Sequence, residues 1–419
     1  MATPIATTTN TPTKAGSLTI AGSGIASVGH ITLETLAYIK ESHKVFYLVC
    51  DPVTEAFIQE NGKGPCINLS IYYDSQKSRY DSYLQMCEVM LRDVRNGLDV
   101  LGVFYGHPGV FVSPSHRAIA LAREEGFNAK MLAGVSAEDC LFADLEFDPA
   151  SFGCMTCEAS ELLIRNRPLN PYIHNVIWQV GSVGVTDMTF NNNKFPILID
   201  RLEKDFGPNH TVIHYVGRVI PQSVSKIETF TIADLRKEEV MNHFDAISTL
   251  YVPPRDISPV DPTMAEKLGP SGTRVEPIEA FRPSLKWSAQ NDKRSYAYNP
   301  YESDVVAQLD NYVTPEGHRI LQGSPAMKKF LITLATSPQL LQAYRENPSA
   351  IVDTVEGLNE QEKYGLKLGS EGAVYALMSR PTGDIAREKE LTNDEIANNH
   401  GAPYAFVSAV IIAAIICAL

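Results

Sequence analysis

The feature that most constrains this chain is a repeated pattern: an apolar run, a turn rich in glycine or proline, then a helical period. Ser17-Leu-Thr-Ile-Ala21 runs into Gly22-Ser-Gly24, and Ile31-Thr-Leu-Glu-Thr-Leu-Ala-Tyr-Ile39 then has helical spacing with Leu33, Leu36 and Ile39 on one face. Val45-Phe-Tyr-Leu-Val-Cys50 is closed by Asp51-Pro52, and Asp99-Val-Leu-Gly-Val-Phe-Tyr105 by Gly106-His-Pro-Gly109. Apolar strands alternating with helices predict an α/β domain around a buried, mostly parallel sheet. Further strands are expected at Val176–Val180, Thr211–Tyr215 and Ser248–Val252, before Pro253-Pro254 stops the set.

The rest of the chain divides by composition. Residues 1–14 are rich in Thr and Pro, without a basic start or an apolar core, and read as a flexible tail rather than a signal peptide. Residues 15–252 form the α/β domain. Residues 253–300 are rich in Pro and charge and read as a long extended connection. A small helical module is expected over about 305–380, with the whole of 253–380 acting as arm and module. Its start signals are Ser324-Pro325, Ser337-Pro338 and Asn347-Pro348, each a capping residue before an N1 proline, and Asn359 with Glu362. Phe330 with Leu334, and Leu340 with Tyr344, are its i, i+4 apolar pairs. Residues 381–403 read as a linker, and 404–419 as a separate apolar segment in which only Ser408 is not apolar.

The 419 residues carry 36 Lys and Arg against 49 Asp and Glu, a net charge of −13. That excludes a broad electrostatic grip on nucleic acid or anionic lipid. The seven cysteines are odd in number and scattered, so they read as reduced thiols in a cytoplasmic protein. Cys154-Met-Thr-Cys157 lacks the two further ligands a zinc site needs, and no histidine pair has convincing ligand spacing, so no metal is expected.

Three glycine-bearing loops follow predicted strands: Ala21-Gly-Ser-Gly-Ile-Ala-Ser27, Tyr105-Gly-His-Pro-Gly-Val-Phe111 and Ala133-Gly-Val-Ser-Ala137. Loops at the carboxyl ends of strands lie on one side of an α/β sheet, where ligands bind, and helix N-termini there offer free N–H groups. From the first loop alone, a tight turn with no ligand is as good a reading.

Gly22-x-Gly24, Tyr105-Gly106-x-Pro108 and Gly134-Val135-Ser136 resemble the tetrapyrrole methylases, which use S-adenosylmethionine in a cleft between two α/β halves. The first loop departs from that family in Ile25-Ala26-Ser27, and His107 stands where an Asp is usual. The resemblance is closer to one branch, the fungal borosin precursors. It is carried by Tyr72-Tyr-Asp-Ser-Gln-Lys-Ser-Arg79, Val103–Phe111, Pro114-Ser-His-Arg117, Gly134–Asp144 and the apolar tail. It implies a two-lobed tetrapyrrole-methylase-like α/β domain, a small all-helical clasp and an extended C-terminal peptide. The implied activity is iterative α-N-methylation of the chain's own backbone amides within Tyr404–Leu419. S-adenosylmethionine would be converted to S-adenosylhomocysteine, with no metal. An interlocked homodimer would methylate the partner's peptide in trans, and a separate protease or macrocyclase would release the product.

An amide nitrogen is a poor nucleophile because its lone pair is delocalised into the carbonyl. Its methylation calls for a base, a positive charge or donor for the carbonyl oxygen, and a held methyl donor. The resemblance assigns these tasks to Tyr73, Arg79, Tyr83 and Tyr105: Tyr73 as base, Arg79 lowering its pKa and stabilising the imidate oxygen, Tyr83 positioning the peptide, and Tyr105 between donor and peptide. It places the cofactor against Gly22, Gly24, Tyr105, Gly106, His107, Val110, Phe111, Ser136, Ala137, Gln179, Tyr215, Ser248 and Thr249. Read without the resemblance, the tyrosine-rich segment is a half-buried surface helix start. The apolar tail is also open to a membrane-anchor reading, although sixteen residues fall short of the about 20 that span a bilayer. In that alternative the chain is a small-molecule methyltransferase of the tetrapyrrole type, or a silent scaffold at a membrane.

Overall fold

A computed structural model of the chain describes residues 15–398, apart from 75, 151, 188–190, 257, 260, 269–297, 299, 314–318, 322 and 382–390. Two compact units emerge, the first ending within the segment 269–297. The apolar tail, Tyr404–Leu419, and the N-terminal residues 1–14 lie outside the described residues.

The first unit holds two five-stranded sheets. The leading sheet is built from β1 (Ser17–Gly22), α1 (Leu33–Glu41), β2 (Lys44–Leu48), α2 (Pro52–Asn61), β3 (Cys66–Asn68), α3 (Arg79–Arg95), β4 (Asp99–Phe104), α4 (Ser113–Glu124) and β5 (Asn128–Met131). Its order is β3-β2-β4-β1-β5, and every pairing is parallel. Alternation along the strands fills both faces. Leu18, Ile20, Val100 and Phe104 pack with Met86, Met90 and Val94 of α3, while Ala21, Leu101 and Val103 pack with Ile39 and Ile58 of α1 and α2. Each of these side chains other than Ala21, fully buried, contributes about 1.5–3 kcal/mol. The predicted face of α1 is rotated: Leu33 is 71% exposed, and the buried positions are Thr35, Ala37 and Ile39. Leu33 is the first residue after the Thr32 cap, and the i, i+4 pair Thr35 and Ile39 meets the core instead.

The second sheet follows α5 (Ala137–Leu145) and contains β6 (Cys154–Glu158), α6 (Ala159–Ile164), β7 (His174–Trp178), α7 (Phe195–Phe206), β8 (Thr211–Val216), β9 (Lys226–Thr231), α8 (Glu238–Met241) and β10 (Thr249–Val252). Its order is β6-β7-β10-β8-β9, parallel only at β6–β7. Strands β6 and β9 escaped the sequence reading: β9 is a largely solvated edge, and β6, Cys-Met-Thr-Cys-Glu, has no run of β-branched or aromatic residues. Strand β6 puts its two thiols in different clusters. Cys157 belongs to the core under α6 and α7, and Cys154 packs on the opposite face against the cluster of Leu141 and Tyr251.

A short helix, α9 (Pro262–Leu268), interrupts the segment read as extended. Asp261 explains it: its carboxylate accepts from the backbone N–H groups of Thr263 (2.9 Å) and Met264 (3.1 Å), an N-cap before an N1 proline.

The second unit runs through α10 (Pro300–Ala307), β11 (Arg319–Leu321), α11 (Pro325–Thr336), α12 (Pro338–Glu346), α13 (Pro348–Val352), α14 (Glu360–Leu368), α15 (Glu371–Met378), β12 (Ser379–Pro381) and α16 (Asn393–Ala397). Ser324, Ser337, Asn347 and Asn359 all cap as their spacing predicts, the last in a reciprocal box with Glu362. Phe330, Leu334, Leu366 and Leu377 form its core. The module is not wholly helical, since β11 and β12 pair antiparallel. Nor is 381–403 all linker: Thr392 and Glu395 box the start of α16, whose Ile396 is fully buried in the module's core.

Candidate functional site

Strands β1 and β4 are neighbours whose register ends at Gly22 opposite Phe104, so the loops that follow them emerge side by side. The two loops are joined by the backbone bridge between Gly24 and Gly106. A Cβ on Gly22 would lie 2.2 Å from the Gly106 carbonyl oxygen, so the close approach requires glycine. The loop after β5 joins them: Leu132 N–H donates to the Ile20 carbonyl at 2.8 Å, and a Cβ on Gly134 would press on Pro108 at 3.2 Å. His30 steadies the first loop through Nδ1, which accepts from the N–H groups of Ile25 and Ala26 at 3.3 and 3.1 Å. Burial beside Arg218 pushes the His30 pKa down, consistent with a neutral acceptor.

Above this floor lies a cleft of about 300 Å³ between the carboxyl end of the first sheet and the second sheet. Tyr105, Gly106, His107, Val110 and Phe111 line it from the loop after β4, and Ser136 and Ala137 from the start of α5. Gln179, Tyr215 and Thr249 line it from the second sheet, and Tyr73 and Tyr83 also line it. Four other sequence-predicted residues are not in the lining. Gly22 and Gly24 build the floor beneath it. Arg79 opens α3 and is turned toward another loop, donating through Nη2 to the Val185 carbonyl, while its own N–H donates to the Thr186 carbonyl at 3.3 Å. Ser248 is fully buried, its hydroxyl facing His214 and Asp245.

Several lining side chains have their polar atoms already engaged. Ser136 caps α5 in a box with Asp139, and Tyr215 donates to Asp144 at 2.8 Å, so it offers the cleft its ring. His107 Nδ1 accepts from the Gly109 N–H at 3.0 Å, which tightens the turn. Phe111 (φ +55°) and Gln179 (φ +56°) both take the left-handed backbone conformation, one on each wall. Such strain in non-glycine residues is concentrated where a side chain must be aimed at a site.

The rings of Tyr73 and Tyr83 meet edge to face with centroids 6.3 Å apart. Arg79 does not lower the Tyr73 pKa below its ordinary value. Burial pushes it well up, the neighbouring Tyr83 adds to the rise, and the opposing pull of Arg79 is smaller than either. Burial, with Cys50 alongside, likewise raises Tyr105. Both phenols are therefore protonated near neutral pH and act first as hydrogen-bond donors.

The lining also includes Ile25, Leu48, Trp178, Gly217, Ala246 and Ile247, which the sequence reading did not single out. Trp178 could have been found by applying the carboxyl-end rule to β7. Ala246 and Ile247 could not, because they precede β10, and only an antiparallel strand brings its amino end to that edge. Among the described residues no group of His, Cys, Asp and Glu could hold a metal ion, and no helix is long and apolar enough to cross a membrane.

Comparison with known proteins gives two family matches. The family described as Tetrapyrrole (Corrin/Porphyrin) Methylases matches residues 17–235, and that described as Borosin biosynthesis clasp domain matches residues 297–417. A methyltransferase/ribosomally synthesized type I borosin cyclic peptide precursor from Serendipita vermifera subsp. bescii is 54% identical over 393 residues, 94% of this chain and 96% of the relative. Another from Mycena rosella is 54% identical over 384 residues, 92% of this chain and 95% of the relative. The methyltransferase/ribosomally synthesized cyclic peptide omphalotin A precursor from Omphalotus olearius is 44% identical over 411 residues, 96% of this chain and 97% of the relative.

Proposed function

This chain belongs to the borosin precursor methyltransferases, and from that premise we propose that it methylates backbone amides of its own segment Tyr404–Leu419 with S-adenosylmethionine. The observation that carries the reading is a single cleft, floored by the glycine loops, that is lined by both Tyr73 and Tyr83.

The residues present fit that cofactor. Gly22 and Gly134 let the three loops pack closely into one floor, and about 300 Å³ is at the lower end of the range for small-molecule sites. The loop Gly106–Phe111, Ser136–Ala137, Gln179 and Thr249 would hold it, and when bound it supplies an electrophilic sulfonium methyl group. The chain's own groups handle the amide. Tyr73 takes the N–H proton and passes it to water. Its raised pKa means that it becomes a base only when positive charge enters the cleft and favours the phenolate. Arg79 adds to that charge from the start of α3, and in the peptide-bound state its guanidinium would leave the Val185 carbonyl to stabilise the imidate oxygen, while Tyr83 positions the peptide. Tyr105, held protonated by burial, donates a hydrogen bond between donor and peptide.

The reading extends to assembly. In a homodimer, the tail of one copy enters the cleft of the partner. Exposed Val305, Leu309 and Val313 at the head of the second unit support an arm that packs on a second copy. A separate protease or macrocyclase releases the N-methylated product, whose lost N–H donors block β-pairing. The free thiols among the described cysteines support a reducing, cytoplasmic setting.

The test is fragmentation mass spectrometry of the tail of the purified protein after incubation with S-adenosylmethionine. CH₂ increments on backbone positions within 404–419, absent from Arg79→Ala, are expected. An unmodified tail in the wild-type chain overturns the reading. Co-expression of a cleft-dead copy with a tail-less copy tests action in trans: methylation of the dead copy's tail is expected.

A further inference from the structure

A buried polar chain runs behind the second-sheet wall of the cleft. His214 lies at the centre of β8 and is fully buried. Its Nδ1 lies 2.9 Å from Glu228 Oε2, and its Nε2 2.8 Å from Ser248 Oγ. A carboxylate only accepts, so Nδ1 donates to Glu228 and the neutral ring presents Nε2 to Ser248 as an acceptor. The Ser248 hydroxyl also accepts from the Asp245 N–H at 2.9 Å and lies 3.1 Å from Asp245 Oδ1. Asp245 Oδ1 in turn accepts from the Ile247 N–H at 3.0 Å. Glu228 is fixed from outside by Lys226 at 3.1 Å and His243 at 3.0 Å. The His214 ring also packs on Phe244, with centroids 4.1 Å apart.

The order of carboxylate, imidazole and hydroxyl matches that of nucleophilic hydrolases, but Ser248 has no exposed surface and cannot reach a substrate. Its surroundings indicate a different task. Asp245–Thr249 turns into β10 and carries Ala246, Ile247 and Thr249 into the cleft. The same segment supports the other half of the wall: Val180 N–H donates to the Ser248 carbonyl at 3.2 Å, and Gly181 sits so close to Asp245 that a Cβ would lie 2.1 Å from its carbonyl oxygen. Gln179, with its left-handed backbone, immediately precedes that turn.

We infer that His214 and Ser248 are positioning residues: the chain Glu228–His214–Ser248–Asp245 clamps the wall formed by Gln179, Ala246, Ile247 and Thr249 in the shape that receives the methyl donor. The inference rests on the proposed reading for the identity of that donor, but the clamp itself is a property of the empty cleft.

The experiment uses the full chain carrying Ser248→Ala, with Ser248→Thr as the variant that keeps the hydroxyl. Binding of S-adenosylhomocysteine is measured by calorimetry, amide hydrogen exchange across 244–250 is followed without ligand, and KM for the donor is compared with kcat on the tail. Ser248→Ala is expected to weaken binding about tenfold or more, the scale of one buried hydrogen bond lost with its partner left unpaired. It should speed exchange at Asp245 and Ile247 and raise KM for the donor far more than it lowers kcat, and Ser248→Thr should recover most of the binding. Ser248→Ala binding within twofold of wild type, or loss of binding in both variants alike, overturns the inference. If the unaltered protein does not bind S-adenosylhomocysteine, the proposed function has failed, and exchange at Asp245 and Ile247 still decides the clamp: unchanged rates in Ser248→Ala reject it.

Discussion

Gly24 and Gly106 exchange two backbone hydrogen bonds: Gly24 N–H donates to the Gly106 carbonyl at 3.2 Å, and Gly106 N–H to the Gly24 carbonyl at 3.0 Å. Both have positive φ, and together they turn two separate loops into one floor. Gly22 lies beside this bridge with no space for a methyl group. Gly22→Ala should therefore force the loops apart, at about 1–3 kcal/mol for the overpacking. The expected outcome is a lowered Tm and a loss of S-adenosylhomocysteine binding, measured by thermal unfolding and calorimetry. Unchanged binding would show that the loops do not form the cofactor floor.

Tyr73→Phe removes the proposed base while keeping the ring that meets Tyr83. Methylation should fall about 10²–10⁴-fold, the range for general acid–base catalysis. In the wild-type chain the phenolate is the active form and burial raises the phenol's pKa, so the methylation rate should climb with pH and keep climbing beyond pH 8. A rate profile flat from pH 6 to 9, or an active Tyr73→Phe, would remove Tyr73 from the role.

Arg79→Ala should abolish tail methylation and also loosen the loop at Val185, whose carbonyl the guanidinium binds. A hydrogen bond to a charged group contributes about 1.5–3 kcal/mol, so a measurable fall in Tm should accompany the loss. Arg79→Lys keeps the charge but not the fork, and should recover stability better than activity. Equal recovery of both would indicate that Arg79 acts only through the loop.

Burial depresses the pKa of His214 and His210, and that of His30 falls for the same cause. The unfolded chain binds protons at these sites from about pH 6.5 downward, where the folded chain resists them. Stability should therefore fall as pH drops below about 6.5, by up to about 1.4 kcal/mol per pH unit for each histidine. Urea unfolding at pH 7.5, 6.5 and 5.5 measures this, and the slope for His214→Asn should be shallower by the share of one proton. Parallel slopes would show that His214 titrates normally in the fold.

In the second unit, Asn359 accepts from the Glu362 N–H at 2.8 Å while Glu362 accepts from the Asn359 N–H at 3.1 Å. Asn359→Ala should cost about 1 kcal/mol, seen as a lower midpoint for unfolding of that unit, with the cleft's ligand affinity unaltered.

What could be read in advance follows from which signals are local. The caps at Ser324, Ser337, Asn347 and Asn359 each depend on a side chain three residues from the N–H it accepts from, so spacing alone located them. The caps of Asp261 and Thr392 were equally local, but the polar composition around them obscured α9 and α16. The glycine loops were visible because each follows an apolar strand, and the carboxyl-end rule then put Tyr105–Phe111 and Ser136–Ala137 on one side of the sheet.

The amino-acid sequence by itself determined the alternation of strand and helix, the helix starts of the second unit, the three glycine-bearing loops that meet at the cleft and the family to which the chain belongs. These rest on period, spacing and residue type, which act over a few positions. Only the tertiary structure decided that Arg79 turns to Val185, that Ser248 faces His214 instead of the cleft, and that Ala246, Ile247 and Trp178 complete the wall. It also decided the sign of the Tyr73 shift. Each of these is set by packing between segments apart in the chain: burial of Tyr73 against the core of the first sheet outweighs one nearby guanidinium, and an antiparallel β10 brings to the cleft an end that a parallel strand would have carried away.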